Sequence, residues 1–108
     1  MARDDFTARA TEDLREIGRY TRREWGTAHA RHYRQELEWA LRKLSLNPQL
    51  GRLREEIAPA LRSFRVGGHV AFYMTHDDGI TVIRLLHPPR DTELAFSSKT
   101  VDPGKLPP

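Results

Sequence analysis

The groups able to do chemistry in this chain are guanidinium and imidazole, and they gather in its second half. Arg62, Arg65, His69, Arg84 and His87 alternate with apolar, β-favouring residues between Leu61 and Asp91. Arginine presents a planar fork of donors that matches a carboxylate or a phosphate. Imidazole changes charge near neutral pH and moves protons. His87, followed by Pro88-Pro89-Arg90-Asp91, is the attractive acid–base candidate at an expected strand end. A plainer role stands beside each assignment. His87 can be a structural histidine bonded to backbone or to Asp91. Arg84 can pair with an Asp or Glu under the C-terminal tail. Arg62 and Arg65 can be solvated side chains on the strand bordering an open face.

Other chemistries find little support. The sequence has no cysteine, hence no disulfide framework, thiolate metal site or thiol nucleophile. It has no Gly-rich phosphate loop, Gly-x-Ser-x-Gly elbow or His-Glu-x-x-His. His29 and His32 stand at a spacing a metal could bridge, but nothing nearby completes a ligand set. Neither metal nor organic cofactor is expected.

Short elements must position these groups. Leu61 to Val66, His69 to Thr75 and Ile80 to His87 are β-favouring runs, divided by Gly67-Gly68 and by the turn His76-Asp77-Asp78-Gly79. They predict an antiparallel sheet with one face on helices and basic groups on its other face or its ends. Thr7 is a plausible cap for a first helix, with Ala10, Leu14, Ile17, Thr21 and Trp25 on one stripe and Gly26 as its stop. Thr27 is the expected cap of a second helix, with Ala30, Tyr33, Leu37, Ala40, Leu41 and Leu44 on its stripe, ending before Asn47-Pro48. Trp39 lies off that stripe, near His32, Gln35, Glu36 and Lys43. It either folds against a loop or helix end, or anchors a second chain.

The expected fold class is therefore α+β: a two-helix antiparallel hairpin on a small curved antiparallel sheet, with Met1 to Phe6 able to add an edge strand. Residues 1–96 make one domain. Glu93 to Phe96 keeps apolar character and is expected to dock, and 97–108, with Gly, prolines and serines, reads as a flexible tail. The 108 residues hold 18 Lys and Arg against 15 Asp and Glu, a net charge of +3 that suits nucleic acid or an acidic protein without separating them. No apolar run approaches the ~20 residues needed to span a bilayer. No signal peptide is visible, and a cytoplasmic location without membrane contact is expected.

Several residues are familiar in their order. Ala10-x-x-Asp13-Leu14-x-x-Ile17-x-x-Tyr20-Thr21, Trp25-Gly26 and Ala30-x-x-Tyr33-x-x-x-Leu37 resemble the ParE branch of the RelE/ParE toxin superfamily. So do Asn47-Pro48-x-Leu50-Gly51-Arg52, Pro59-x-Leu61-Arg62-Ser63, Phe72-Tyr73 and Leu86-His87-x-x-Arg90-Asp91, from about Phe6 to Asp91 in all. The resemblance implies the toxin of a type II toxin–antitoxin module. It implies a cognate antitoxin, ParD-like or another short acidic protein, whose C-terminal segment wraps the toxin. It also implies DNA gyrase as target.

Three mechanisms follow. An inhibitory protein docks on gyrase, traps a cleaved DNA state and needs only complementary shape and charge. Its contact residues would be Arg62, Arg65, Arg84, Arg90 and Trp39. A RelE-like messenger-RNA endonuclease would need His87 as acid or base, Arg62, Arg65 and Arg84 on the phosphate, and help from Glu55 or Glu56. Against it, the sheet has no lysine, and Pro88-Pro89 rather than a tyrosine follows His87. An inactive scaffold would bind only its antitoxin. The non-catalytic inhibitor is the favoured expectation, with direct nucleic-acid contact left open.

Overall fold

The computed structural model describes residues 2–87. Their elements run β1 (Arg3–Phe6), α1 (Ala8–Trp25), α2 (Thr27–Leu46), a 3-10 turn (Pro48–Leu50), β2 (Arg52–Leu53), β3 (Arg62–Val66), β4 (His69–His76) and β5 (Gly79–Leu86). Arg90, the docking segment Glu93 to Phe96 and the tail 97–108 lie outside the described residues.

Thr7 starts α1 as expected. Its hydroxyl oxygen accepts the Ala10 N–H at 3.0 Å and its O–H donates to the Ile83 carbonyl at 2.9 Å, so one side chain caps the helix and ties it to β5. Gly26 closes α1 at φ +93°, in the left-handed region that favours glycine. The same residue precedes α2 directly, so Thr27, expected as a cap, is instead the first helical residue of α2. The reversal uses a single residue and leaves no room for a separate cap.

The strand order is β1-β5-β4-β3-β2. The N-terminal strand is present, and it pairs parallel to β5, which makes the sheet mixed rather than wholly antiparallel. The other neighbours pair antiparallel. On β4 and β5, Phe72 faces Arg84 while Tyr73 faces Val82, which leaves Ile83 as an extra residue in a β-bulge. The bulge shifts the alternation along β5. Val82 and Leu85 both join the helix-side core, and Ile83 and Leu86 both turn to the opposite face.

The helix-side core packs Ala10, Ile17, Leu37, Leu41 and Leu44 on Val66, Ala71, Tyr73, Ile80, Val82 and Leu85. Trp25 is a correction. Expected on the buried stripe of α1, it is 64 % exposed at the last residue of the helix. The opposite face also departs from expectation. It is not an open basic surface, since Phe72, Ile83 and Leu86 bury there with Ala58 and Leu61. The β2–β3 connection supplies that cover.

Tyr73 ties the second half of the fold together. Its hydroxyl donates to the Pro48 carbonyl at 2.7 Å and accepts the Gly51 N–H at 2.8 Å. A Cβ on Gly51 would collide with that ring, so the position admits only glycine. Tyr73→Phe leaves both backbone groups unpaired near the core. It should lower the unfolding free energy by about 1–3 kcal/mol, read from urea denaturation.

Candidate functional site

The arginine closest to α1 is not free. Arg84 is buried, and its Nε and second guanidinium nitrogen donate to the two carboxylate oxygens of Asp13 at 2.7 and 3.1 Å. The Leu85 N–H donates to the same carboxylate at 3.0 Å. The ladder between β1 and β5 ends at the Phe6–Val82 pair. Asp13 thus takes the place of a strand partner farther along β5 and neutralises Arg84 in one stroke. The ion-pair alternative therefore describes Arg84, with its partner on α1 rather than under the tail. Arg84 is not presented to an outside ligand.

The remaining sheet arginines diverge. Strand alternation puts Arg62 on the helix side with Phe64 and Val66, and Arg65 on the opposite face with Ser63. Arg62 donates to the Gly51 carbonyl at 2.7 Å, at the β2 end of the sheet. It pairs with Tyr73, four residues along β4 from His69, or about 13 Å at strand rise. Arg65 is exposed and, among the described residues, reaches only the Gly67 carbonyl, at 3.4 Å. Glu55 accepts from the Ala60 N–H and Glu56 from Arg54, so neither carboxylate is directed at His87. Trp39 is 77 % exposed on α2 beside His32, Gln35, Glu36 and Lys43, and among the described residues it does not fold against a loop or helix end.

What the fold does assemble is a groove of roughly 910 Å³ between α1, the start of α2 and the far end of β4 and β5. Ile17 and Leu85 form part of its floor, with Tyr20, Trp25, His29, Tyr33, His69 and His87 around it. Trp25 lies against His29 with ring centres 5.6 Å apart, and His69 meets His87 edge to face at 5.3 Å. Tyr33 organises this end. Its hydroxyl bonds His69 Nδ1 at 2.6 Å, accepts the Gly68 N–H at 3.1 Å and lies 3.3 Å from the Val66 carbonyl. Gly67, at φ +56°, makes room, since a Cβ there would strike the Tyr33 ring.

His87 was legible as a candidate, but its association with His69 and Tyr33 was not. Tyr33 sits on the apolar stripe of α2, and only its place opposite the Gly67-Gly68 turn could have flagged its hydroxyl. Asp13 stood in the motif that carries the family resemblance, but nothing in the sequence named its partner, which is 71 residues away.

Burial raises the Tyr33 hydroxyl above the ordinary tyrosine value of 10.0, against an opposing contribution from the Gly68 N–H. Tyr73 is raised for the same first reason. Both phenolates form less readily in the folded chain than in the unfolded one. The native state then holds its protons longer, so stability is intact below pH 10 and falls as pH rises through the folded-state values. Thermal melts from neutral to strongly alkaline pH should show a loss that begins near pH 10 and shrinks when Tyr33 and Tyr73 are both phenylalanine.

A family model described as the ParE toxin of the type II toxin–antitoxin system parDE matches residues 5–91. The chain belongs to the ParE toxin family. Its ParE sequence is 36 % identical over 85 residues to Toxin ParE1 of Mycobacterium tuberculosis (strain ATCC 25618 / H37Rv), covering 78 % of this chain and 87 % of that protein. It is 39 % identical over 83 residues to Toxin ParE of Escherichia coli, covering 76 % and 81 %. The fold matches a solved chain of the chromosomal ParDE toxin–antitoxin system from P. aeruginosa with a TM-score of 0.69, at 21 % identity, over 81 % of this chain and 96 % of that one. Among the described residues of this ParE toxin, no helix is long and apolar enough to cross a membrane. Nor does any group of three or more His, Asp or Glu come together to hold a metal, His29 and His32 included.

Proposed function

We propose that this ParE toxin acts in the cytoplasm by docking on DNA gyrase and holding a cleaved DNA state, without chemistry of its own. A ParD-like or other short acidic antitoxin neutralises it. One observation carries the non-catalytic reading: the residues a ribonuclease would need are dispersed. Arg84 is neutralised by Asp13, Arg62 lies at the other end of the sheet, and Arg65 is on the opposite face. Among the described residues, His87 is left with His69 and Tyr33, a set able to move a proton but with no arginine beside it except the occupied Arg84 and the α1 residue Arg9. Cleavage of a phosphodiester requires cations on the phosphate as well as acid and base.

Docking needs complementary surface, and the exposed Trp39 and Arg65 offer it on two sides of the molecule. Kinship with the toxin of the ParDE system, together with membership of a toxin–antitoxin family, supports an antitoxin partner. An interface able to silence the toxin would bury more than about 1,200 Å². Its antitoxin segment would order on binding.

Purified toxin in a gyrase supercoiling assay, run beside a ribosome-dependent RNA-cleavage assay, tests the reading. Supercoiling should stop while messenger RNA stays intact. Codon-periodic cuts would replace it with the endonuclease reading, and expression without growth arrest would replace it with the inactive scaffold. A short acidic or ribbon-helix-helix protein encoded in the adjacent frame would support the module.

A further inference from the structure

We propose that the aromatic groove between α1 and the end of β5 binds single-stranded nucleic acid, stacking unpaired bases on Trp25, Tyr20 and the imidazoles of His29, His69 and His87. The argument begins with what the groove exposes. Its aliphatic floor is closed: Ile17 and Leu85 are 9 % and 3 % exposed. Its rings are open, with Trp25 64 % and Tyr20 52 % exposed. An apolar helix from a protein partner would seek aliphatic surface, whereas every base has a face that stacks on a ring.

The charges fit the same ligand. The two acidic side chains of the groove are already answered, Asp13 by Arg84 and Glu16 by Arg19 at 3.9 Å. Arg9 in the lining forms no ion pair among the described residues, and Arg23 sits 5.8 Å over the Tyr20 ring. Phosphates following a line of stacked bases would meet guanidinium groups.

His69 adds a proton-dependent element. When the ring is neutral, the Tyr33 hydroxyl can donate to Nδ1. When it is charged, Nδ1–H donates to that hydroxyl, whose own proton turns to the Val66 carbonyl. His69 therefore gains a positive charge without breaking its support, with His87 edge to face beside it and Arg9, Glu16, Tyr20, His29 and the Asp13–Arg84 pair as the other charged or titratable groups of the groove. A phosphate nearby favours the charged ring, so binding strengthens as pH falls.

Fluorescence anisotropy of a fluorescein-labelled oligothymidylate of about twelve nucleotides, titrated with purified toxin at low salt, tests the site. Saturable binding is expected, weakened about fivefold or more by Trp25→Ala and by His29→Ala, and changed less than about twofold by Trp39→Ala, outside the groove. The affinity should rise from about pH 8 to about pH 6, and that rise should shrink in His69→Gln. Trp25 and His29 are exposed, and circular dichroism should show both variants folded. Absence of an anisotropy change, or wild-type affinity in Trp25→Ala, overturns the proposal. So does displacement of the oligonucleotide by poly-glutamate at equal charge, which would mark a generic anion or acidic-peptide surface. Gyrase inhibition is read separately, so toxin that blocks supercoiling without binding the oligonucleotide removes this site and leaves the proposed function standing.

Discussion

Asp13→Ala should lower the unfolding free energy by about 3–5 kcal/mol, because it strands the Arg84 charge in a nearly closed site. The two side chains are only 10 % and 11 % exposed, so water cannot take over the lost contacts. The same change also removes the acceptor of the Leu85 N–H, at the point where β5 has run past its β1 partner. Urea denaturation of the single variant gives the loss. The double variant Asp13→Leu with Arg84→Met separates the two contributions, since it removes both charges together. It should recover much of the stability, as paired replacement of buried ions by apolar side chains often does. A loss below about 1 kcal/mol in Asp13→Ala would mean that Arg84 is hydrated, and would return it to the surface available to a partner.

Phe72→Ala is expected to cost about 3–5 kcal/mol. Phe72 is fully buried on the face of the sheet away from the helices, among Ala58, Leu61, Ile83 and Leu86. The Arg54 guanidinium lies 5.9 Å over its ring. An open sheet face would make the same substitution nearly neutral, because an exposed ring contributes little to folding. The denaturation midpoint of Phe72→Ala therefore distinguishes a sheet with two apolar faces from the one-sided sheet that its alternation suggests.

The helices were legible because their signal is periodic and local. Ala10, Ile17, Leu37, Leu41 and Leu44 fall at helical spacing in the chain and are buried in the fold. Thr7 is equally local, since its cap bond is to Ala10. The far face of the sheet was not legible, for two reasons. The bulge at Ile83 breaks the two-residue period on β5, so reading alternate residues assigns Leu85 and Leu86 to the wrong faces. The cover itself comes from Ala58 and Leu61, in a connection whose path no periodicity describes.

The site follows the same division. His87 stood out as an imidazole at a strand end, and Trp39 as a tryptophan off the apolar stripe, because both are properties of single positions. The fates of Arg62, Arg65 and Arg84 depend on pairs. Arg84 meets Asp13 across 71 residues, and Arg62 meets the Gly51 carbonyl across 11. A sequence displays the charge of an arginine but not its partner. Trp25 fails in the other direction: its spacing places it on the core stripe, but as the last residue of α1 it is left exposed.

Gyrase supercoiling in the presence of purified toxin, with His87→Ala measured beside the wild type, tests the central claim most directly. Inhibition through surface recognition predicts that both proteins stop supercoiling at concentrations within about threefold of each other, since the loss of one exposed ring changes little of a broad contact. Supercoiling untouched by the wild-type toxin, together with RNA cuts that disappear in His87→Ala, would contradict the claim and place proton transfer at the centre of its action.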